Sequence, residues 1–504
     1  MDAPKTKNSV KIDFDDGSRI INEKIEGQSI SVDDVSWQEF YGIQKVLTFI
    51  LNGGFKRVAL QFPDVMLCDV SKVMRELENG LGGAEGTLIF ALGDTSYGSC
   101  CVDEVNAEHL GAEALVHFGP ACLSPTSRLP ICYVFGCNPF DVEECAESLN
   151  GSIQGLPPET KFILLYEVGY HHRIHTLASM LVLPEQGSLV VGALPKGLQH
   201  NSKELQEESP ASSAPDYGLD QTSMILAGLE VPKLEEDELE STVILYLGEE
   251  GRTLTNLLMR CNKSRCFTFD PNRNIKQGPK VREETGTCNK ALMRRFYLVQ
   301  KARDSAIFGL VIGTLGVAGY LETIKKMQKL ITSKGRKAYT FAVGKINVAK
   351  LANFAEVETF VLVACPENSL LESREFHAPI ITPLELEIAL GAREWGFYSM
   401  NFNDLHTENA TGPENIESTI NGQDKDAPYF SLVSGTYKAQ PGFQHLEATE
   451  DEKVEGREII SYQSPAGNFL QNREFKGLEQ ATGKSEVHAA KEGQVGIASN
   501  YRGV

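Results

Sequence analysis

Cys101, Cys122 and Cys365 are the side chains best placed, by type and position, to do chemistry in this sequence. Cys101 lies in Gly93-Asp94-Thr95-Ser96-Tyr97-Gly98-Ser99-Cys100-Cys101-Val102-Asp103-Glu104, after one predicted strand and before a predicted helix. The glycines let the backbone turn tightly there, and the start of the next helix favours a thiolate. Cys122 closes Val116-His117-Phe118-Gly119-Pro120-Ala121-Cys122, past the end of the following strand. Cys365 closes Val361-Leu362-Val363-Ala364-Cys365 past a much later one. Open parallel sheets bind ligands beyond the carboxyl ends of their strands. Three such loops can converge where sheets meet. Three thiolates suit an iron–sulfur cluster with one open iron, or a zinc ion completed by another ligand. The spacing is not a local C-x-x-C pattern, and free cysteine is a common core residue. Position alone therefore leaves open that all three are buried structural thiols.

Cys100 sits beside Cys101, and neighbouring side chains on an extended segment point to opposite sides. One of the two is expected to ligate. Cys101, nearer the helix start, is chosen, with Cys100 as the alternative. Cys68, Cys132, Cys145, Cys261, Cys266 and Cys288 read as structural residues; Cys137, after a strand, is a weaker candidate. Gly313-Thr314-Leu315-Gly316 lacks a complete phosphate-loop pattern and reads as a tight turn. His171, His172 and His175, with only Glu167 nearby, read as an exposed group rather than a metal site.

The elements that must position these thiols follow an α/β rhythm. Trp37 to Gly53 predicts one amphipathic helix with Phe40, Ile43, Val46, Leu47 and Ile50 on one face. Short apolar strands are expected at 57–62, 88–92, 114–118 and 131–135, then at 161–166, 188–194 and 242–247, then at 306–312, 338–343 and 359–363. Helices are expected at 65–81, 293–304 and 320–333, and from Pro383. Strands alternating with helices imply parallel sheets covered on both faces. The expected organisation is a loose arm over 1–36 and a first α/β domain over 37–150 with two of the thiols. A second domain over 151–304 carries a surface insertion at 195–239. A third over 305–401 holds the last thiol, and a linker and weakly structured tail occupy 402–504.

The 504 residues carry a net charge of −20, which repels nucleic acid and anionic membranes and suits a basic partner protein. The first 17 residues are polar and lack the apolar core of a signal peptide, so a cytoplasmic setting is expected. The eleven cysteines are an odd number in a long chain without a secretion signal, which argues against disulfides. The longest apolar stretch, Ala306 to Leu321, is short for a membrane span and is punctuated by glycines.

Several of these segments together resemble the eukaryotic diphthamide biosynthesis subunit 2 family. They are Val58-Ala59-Leu60-Gln61-Phe62-Pro63-Asp64, Gly93 to Val102 with its double cysteine, and Val116 to Pro125. Further on are Gly313-Thr314-Leu315-Gly316-Val317-Ala318, Lys350-Leu351-Ala352-Asn353-Phe354, Ala364-Cys365-Pro366, Pro428 to Val433, and Gly477-Leu478-Glu479. The resemblance implies a three-domain α/β protein paired with a homologous subunit 1. Such a pair is a radical S-adenosylmethionine-like enzyme that transfers a 3-amino-3-carboxypropyl group to one histidine of translation elongation factor 2, the first step of diphthamide formation. In it, homolysis of the bond from sulfur to the γ-carbon gives a carbon radical that adds to the imidazole. The resemblance also implies a [4Fe-4S] cluster on Cys101, Cys122 and Cys365, S-adenosylmethionine bound by the partner, and a small electron-donor protein.

The chain departs from the catalytic relatives in one respect. They place one cluster cysteine in each domain, whereas the corresponding strand end of the second domain here reads Leu247-Gly248-Glu249-Glu250. That matches an accessory subunit whose cluster supports the reduction of its partner's. The competing readings are a zinc-stabilised scaffold with no redox role and a nucleotide-binding enzyme using the Gly313 to Gly316 turn.

Overall fold

The computed structural model describes residues 36–82, 86–93, 98–195, 223–273, 279–284, 286–371, 376–396, 398–406 and 429–438. All of the expected 1–36 arm but Ser36, most of the insertion (196–222), the linker from 407 to 428 and the tail beyond 438 lie outside the described residues. So does the side chain of Cys288.

Three parallel sheets follow one another along the chain. The first holds β1 (Arg57–Gln61), β2 (Leu88–Ala91), β3 (Ala114–Phe118) and β4 (Ile131–Val134), in the order β2-β1-β3-β4. The second holds β5 (Lys161–Tyr166) and β6 (Ser188–Val191). A separate hairpin, β7 (Ser223–Leu226) with β8 (Leu229–Pro232), comes next in sequence. The second sheet then resumes with β9 (Val243–Leu247), β10 (Arg265–Phe269) and an antiparallel edge, β11 (Val281–Glu283). The third holds β12 (Ile307–Ile312), β13 (Lys337–Ala342), β14 (Thr359–Val363) and β15 (Ile380–Ile381), in the order β13-β12-β14-β15. With the hairpin set aside, each sheet places its first four strands in the order second, first, third, fourth, and the second adds β11 at its edge. The same unit is thus built three times. In each, the reversal of strand order falls between the first and third strands, where such sheets open a crevice.

The strands form where short apolar runs can be buried on both faces. Every residue of β3, β4, β9 and β14 is buried, as strands between two helical layers require. One continuous hydrophobic cluster runs from Leu115 and Tyr133 of the first sheet to Phe162, Leu164 and Tyr246 of the second. Another centres on the third sheet and its helices, and takes in Cys101 from the first unit and Met259 from the second. Among the described residues no helix is long and apolar enough to cross a membrane.

The structure departs from the expected elements in five places. The single helix over 37–53 is two, Trp37–Phe40 and Ile43–Gly53, broken at Gly42, whose φ is +53°. The helix over 65–81 begins as a 3₁₀ turn, Asp64–Asp69, and becomes α-helical only over Val70–Gly80. Strand β10 and the β7–β8 hairpin lie where no strand was predicted. The start of the expected linker, Phe402–His406, is a short helix with Phe402 and Leu405 buried.

Candidate metal centre

The loops beyond the first and third sheets bring four thiols together. The Sγ atoms of Cys100, Cys101, Cys122 and Cys365 all lie within 4.8 Å of one another. Cys101 and Cys365 are almost wholly buried, and their sulfurs are 3.1 Å apart. Cys100 and Cys122 are partly buried. Among the described residues no other group of three or more histidine, cysteine or acidic side chains is placed to share an ion.

The sequence argument that Cys100 and Cys101 must diverge assumed an extended segment. The segment turns instead: the Cys101 N–H donates to the Gly98 carbonyl at 3.0 Å, and both sulfurs face the same centre. Four polar contacts hold that turn. Gln61, the last residue of β1, donates from Nε2 to the Cys101 carbonyl at 2.7 Å and accepts the Asp103 N–H on Oε1 at 3.0 Å. The Cys122 N–H donates to the Cys100 carbonyl at 3.1 Å, which ties the two loops of the first sheet together. His117 of β3 places Nε2 3.3 Å from the Ser99 carbonyl. Burial pushes this imidazole down to about 4, so it is neutral, and the nitrogen facing a carbonyl must be the one carrying hydrogen.

Cys365 leaves β14 and opens the short helix Pro366–Ser369. Ser369 Oγ donates to the Cys365 carbonyl at 2.8 Å. Asn368 turns its Nδ2 toward Cys365 Sγ at 3.4 Å and Cys101 Sγ at 3.6 Å. The second unit offers no thiol, yet its helix Arg252–Arg260 braces this loop. Arg252 Nη1 donates to Asn368 Oδ1 at 2.7 Å, and Asn256 Nδ2 to the Pro366 carbonyl at 2.8 Å. The glycine-rich turn after β12 closes the other side. A Cβ on Gly316 would stand 2.6 Å from the Val102 carbonyl oxygen, and the Ala318 N–H donates to the Pro125 carbonyl at 2.9 Å. The bare backbone of that turn therefore serves its close approach to the cysteine loop.

Four thiols and no carboxylate form a soft donor set suited to iron–sulfur or zinc. Cys122 is held well below the ordinary thiol range, because Cys100, Cys101 and Cys365 can all donate to its thiolate. A metal binding there would replace those protons. The donor set and its burial thus fit the cluster that the sequence points to.

Cys132, Cys145, Cys261 and Cys266 are buried in the hydrophobic clusters, as their sequence contexts suggest. Cys68 is exposed instead. Cys137 stands apart from the thiol group. His171 and His172 are half-buried against Phe135 and Phe140 rather than exposed, since the turn after β5 folds them inward. Sequence reasoning did not single out Gln61, His117, Asn368 or Arg252. Gln61 and His117 carried a usable signal, a polar residue inside an otherwise apolar strand. Asn368 and Arg252 become visible only once two units are folded together.

A family model described as "Putative diphthamide synthesis protein" matches residues 62–400. The 2-(3-amino-3-carboxypropyl)histidine synthase subunit 2 of Gallus gallus is 39% identical over 476 residues, 92% of each chain. That of Schizosaccharomyces pombe is 34% identical over 518 residues, covering 98% of this chain and 96% of the relative. Among solved structures, Dph2 from Pyrococcus horikoshii with a 4Fe-4S cluster superposes with a TM-score of 0.50 at 21% identity, over 71% of this chain and 94% of that one. This last likeness shows the shared fold.

Proposed function

The chain belongs to the diphthamide synthesis protein family, and from that premise we propose that it is the accessory iron–sulfur subunit of a 2-(3-amino-3-carboxypropyl)histidine synthase. In this reading Cys101, Cys122 and Cys365 hold a [4Fe-4S] cluster, with Cys100 as the alternative to Cys101. A cluster held there supplies one-electron transfer. The observation that carries the reading is the convergence of four thiols, from three loops, into one largely buried group. The same cluster type is named for the Pyrococcus horikoshii Dph2 structure.

The protein's own residues do the rest. Gln61 fixes the Cys101 backbone, the Cys122 amide links the two cysteine loops of the first sheet, and burial shields the sulfurs of Cys101 and Cys365 from water. The chain works in the cytoplasm as a heterodimer with a homologous subunit 1. The pair transfers the 3-amino-3-carboxypropyl group of S-adenosylmethionine to a histidine of elongation factor 2. S-adenosylmethionine is bound by the partner, and a cluster held by Cys101, Cys122 and Cys365 would accept an electron from a small electron-donor protein. The second sheet's third strand, β9, is followed by Gly248 and Glu249, with no thiol, which is why the transfer chemistry is given to the partner.

One observation favours a second reading, a zinc-stabilised scaffold. Four thiolates about 2.3 Å from a zinc ion stand roughly 3.8 Å from one another, and the sulfurs here, all within 4.8 Å, are already near that spacing. Anaerobic purification with subunit 1, followed by metal and acid-labile sulfide analysis, separates the two. Iron with a matching amount of sulfide supports the iron–sulfur subunit. Zinc without sulfide replaces it with the scaffold.

A further inference from the structure

We infer that Asn368 is a positioning residue that sets how easily the metal centre is reduced, by donating its amide hydrogens to Cys101 and Cys365 and being aimed at them by Arg252. The inference rests on the iron–sulfur reading above and adds a control on its potential.

The geometry has three parts. Asn368 Nδ2 stands 3.4 Å from Cys365 Sγ and 3.6 Å from Cys101 Sγ, within the range of N–H···S hydrogen bonds. A side-chain amide can be turned either way, with oxygen or nitrogen toward a given neighbour. Arginine only donates, so Arg252 Nη1, 2.7 Å from Oδ1, requires the oxygen on its side and the NH2 group on the side of the sulfurs. The cysteine loop makes room for that group: a Cβ on Gly98 would stand 2.5 Å from Nδ2. A donor fixed by a cation, admitted by a glycine and directed at two buried sulfurs is a built arrangement.

Its consequence follows from charge. An electron added to an iron–sulfur centre increases the negative charge on the ligating sulfurs. Hydrogen-bond donors to those sulfurs stabilise the reduced form more than the oxidised form and raise the potential. The unit that contributes no ligand thereby acts on the centre through Arg252.

The test uses the full-length chain, loaded anaerobically with iron and sulfide and titrated with a chemical reductant while the cluster's paramagnetic resonance signal is followed. For Asn368→Ala the expected result is unchanged iron and sulfide content and a more negative midpoint. The expected size is on the order of a tenfold smaller reduced fraction at fixed potential, or about 59 mV for one electron. Gly98→Ala, which displaces the amide, and Arg252→Met, which frees it to rotate, should shift the midpoint the same way by less. Asn368→Gln, which keeps the amide, should recover part of the loss. Full iron in Asn368→Ala with the wild-type midpoint overturns the inference and leaves the iron–sulfur reading standing. If Asn368→Ala loses the metal, an unchanged midpoint in Arg252→Met overturns it instead. Failure of the unsubstituted chain to take up iron and sulfide defeats the iron–sulfur reading itself.

Discussion

Cys100 and Cys101 pose the question of ligand choice most directly. Both sulfurs face the group, but Cys101 is buried against Cys365 whereas Cys100 is partly exposed. Single serine substitutions at Cys101, Cys122 and Cys365 should each remove most of the bound iron after anaerobic reconstitution. Cys100→Ser should retain most of it. If Cys100→Ser loses iron and Cys101→Ser keeps it, the assignment between these two residues is reversed. Gln61 gives a second test at this scale. Gln61→Leu keeps the bulk but removes two buried hydrogen bonds to the Cys101 turn. Each buried group left without its partner costs about 1–3 kcal/mol, so a loss of about 3 kcal/mol in denaturant unfolding is expected. Faster release of iron to a chelator should accompany it. The three chosen thiols were readable because each follows a strand end. Cys100 was readable only as an alternative to Cys101, because an extended segment would turn the two sulfurs apart, whereas the turn at Gly98 brings both to one centre.

At the scale of elements, Gly42 shows how a helix can be misread. The apolar positions Phe40, Ile43, Val46, Leu47 and Ile50 fit one helical face, and all five are buried. The periodicity therefore runs on across a break that only the left-handed backbone of Gly42 reveals. Gly42→Ala would force a side chain into that conformation, 3.2 Å from Val134 Cγ1. A cost of about 1–2 kcal/mol is expected, readable as a lower midpoint in urea. Strand β10 escaped prediction because it opens on Arg265 and Thr268 interrupts its short apolar run. The β7–β8 turn has positive φ at both Ala227 and Gly228, a hairpin geometry usually marked by Asn-Gly or Asp-Gly. Glu167, just after β5, gives a pH test. Burial, then the nearby Glu249 carboxylate, raises its carboxyl from 4.5 to about 7. The folded chain thus binds the extra proton between pH 4.5 and about 7, and stability falls as pH rises through that window. The full cost, roughly 3 kcal/mol, applies above it. Glu167→Gln keeps the acceptor oxygen for Tyr246 and the Glu249 N–H but carries no charge. Its gain in thermal stability over the unsubstituted protein should be small at pH 5 and large at pH 8. An equal gain at both values would remove ionisation of Glu167 as the cause.

At the scale of the molecule, the threefold repetition of one strand order was legible only as a rhythm of apolar runs. That the first and third units share a site was legible from their strand-end cysteines, but the brace from the second was not, because Arg252 and Asn256 meet the Cys365 loop only in the folded chain. The thiol ligands come from the first and third units and the brace from the second, so a bound metal would tie loops that otherwise meet through few hydrogen bonds. Binding that exists only in the folded chain stabilises what it joins, and local opening is governed by the contacts of each segment. Removing the metal with a chelator under anaerobic conditions should therefore speed amide hydrogen exchange at both ends of the tie, in 98–125 and in 361–371. The glycine-rich turn at 313–318, docked on Val102 and Pro125, should follow. Strands β5 and β9, buried in the core shared by the first two sheets, should keep their protection. Exchange that rises in the first cysteine loop alone, with 361–371 unchanged, would mean that Cys365 is not a ligand and that the metal belongs to one unit.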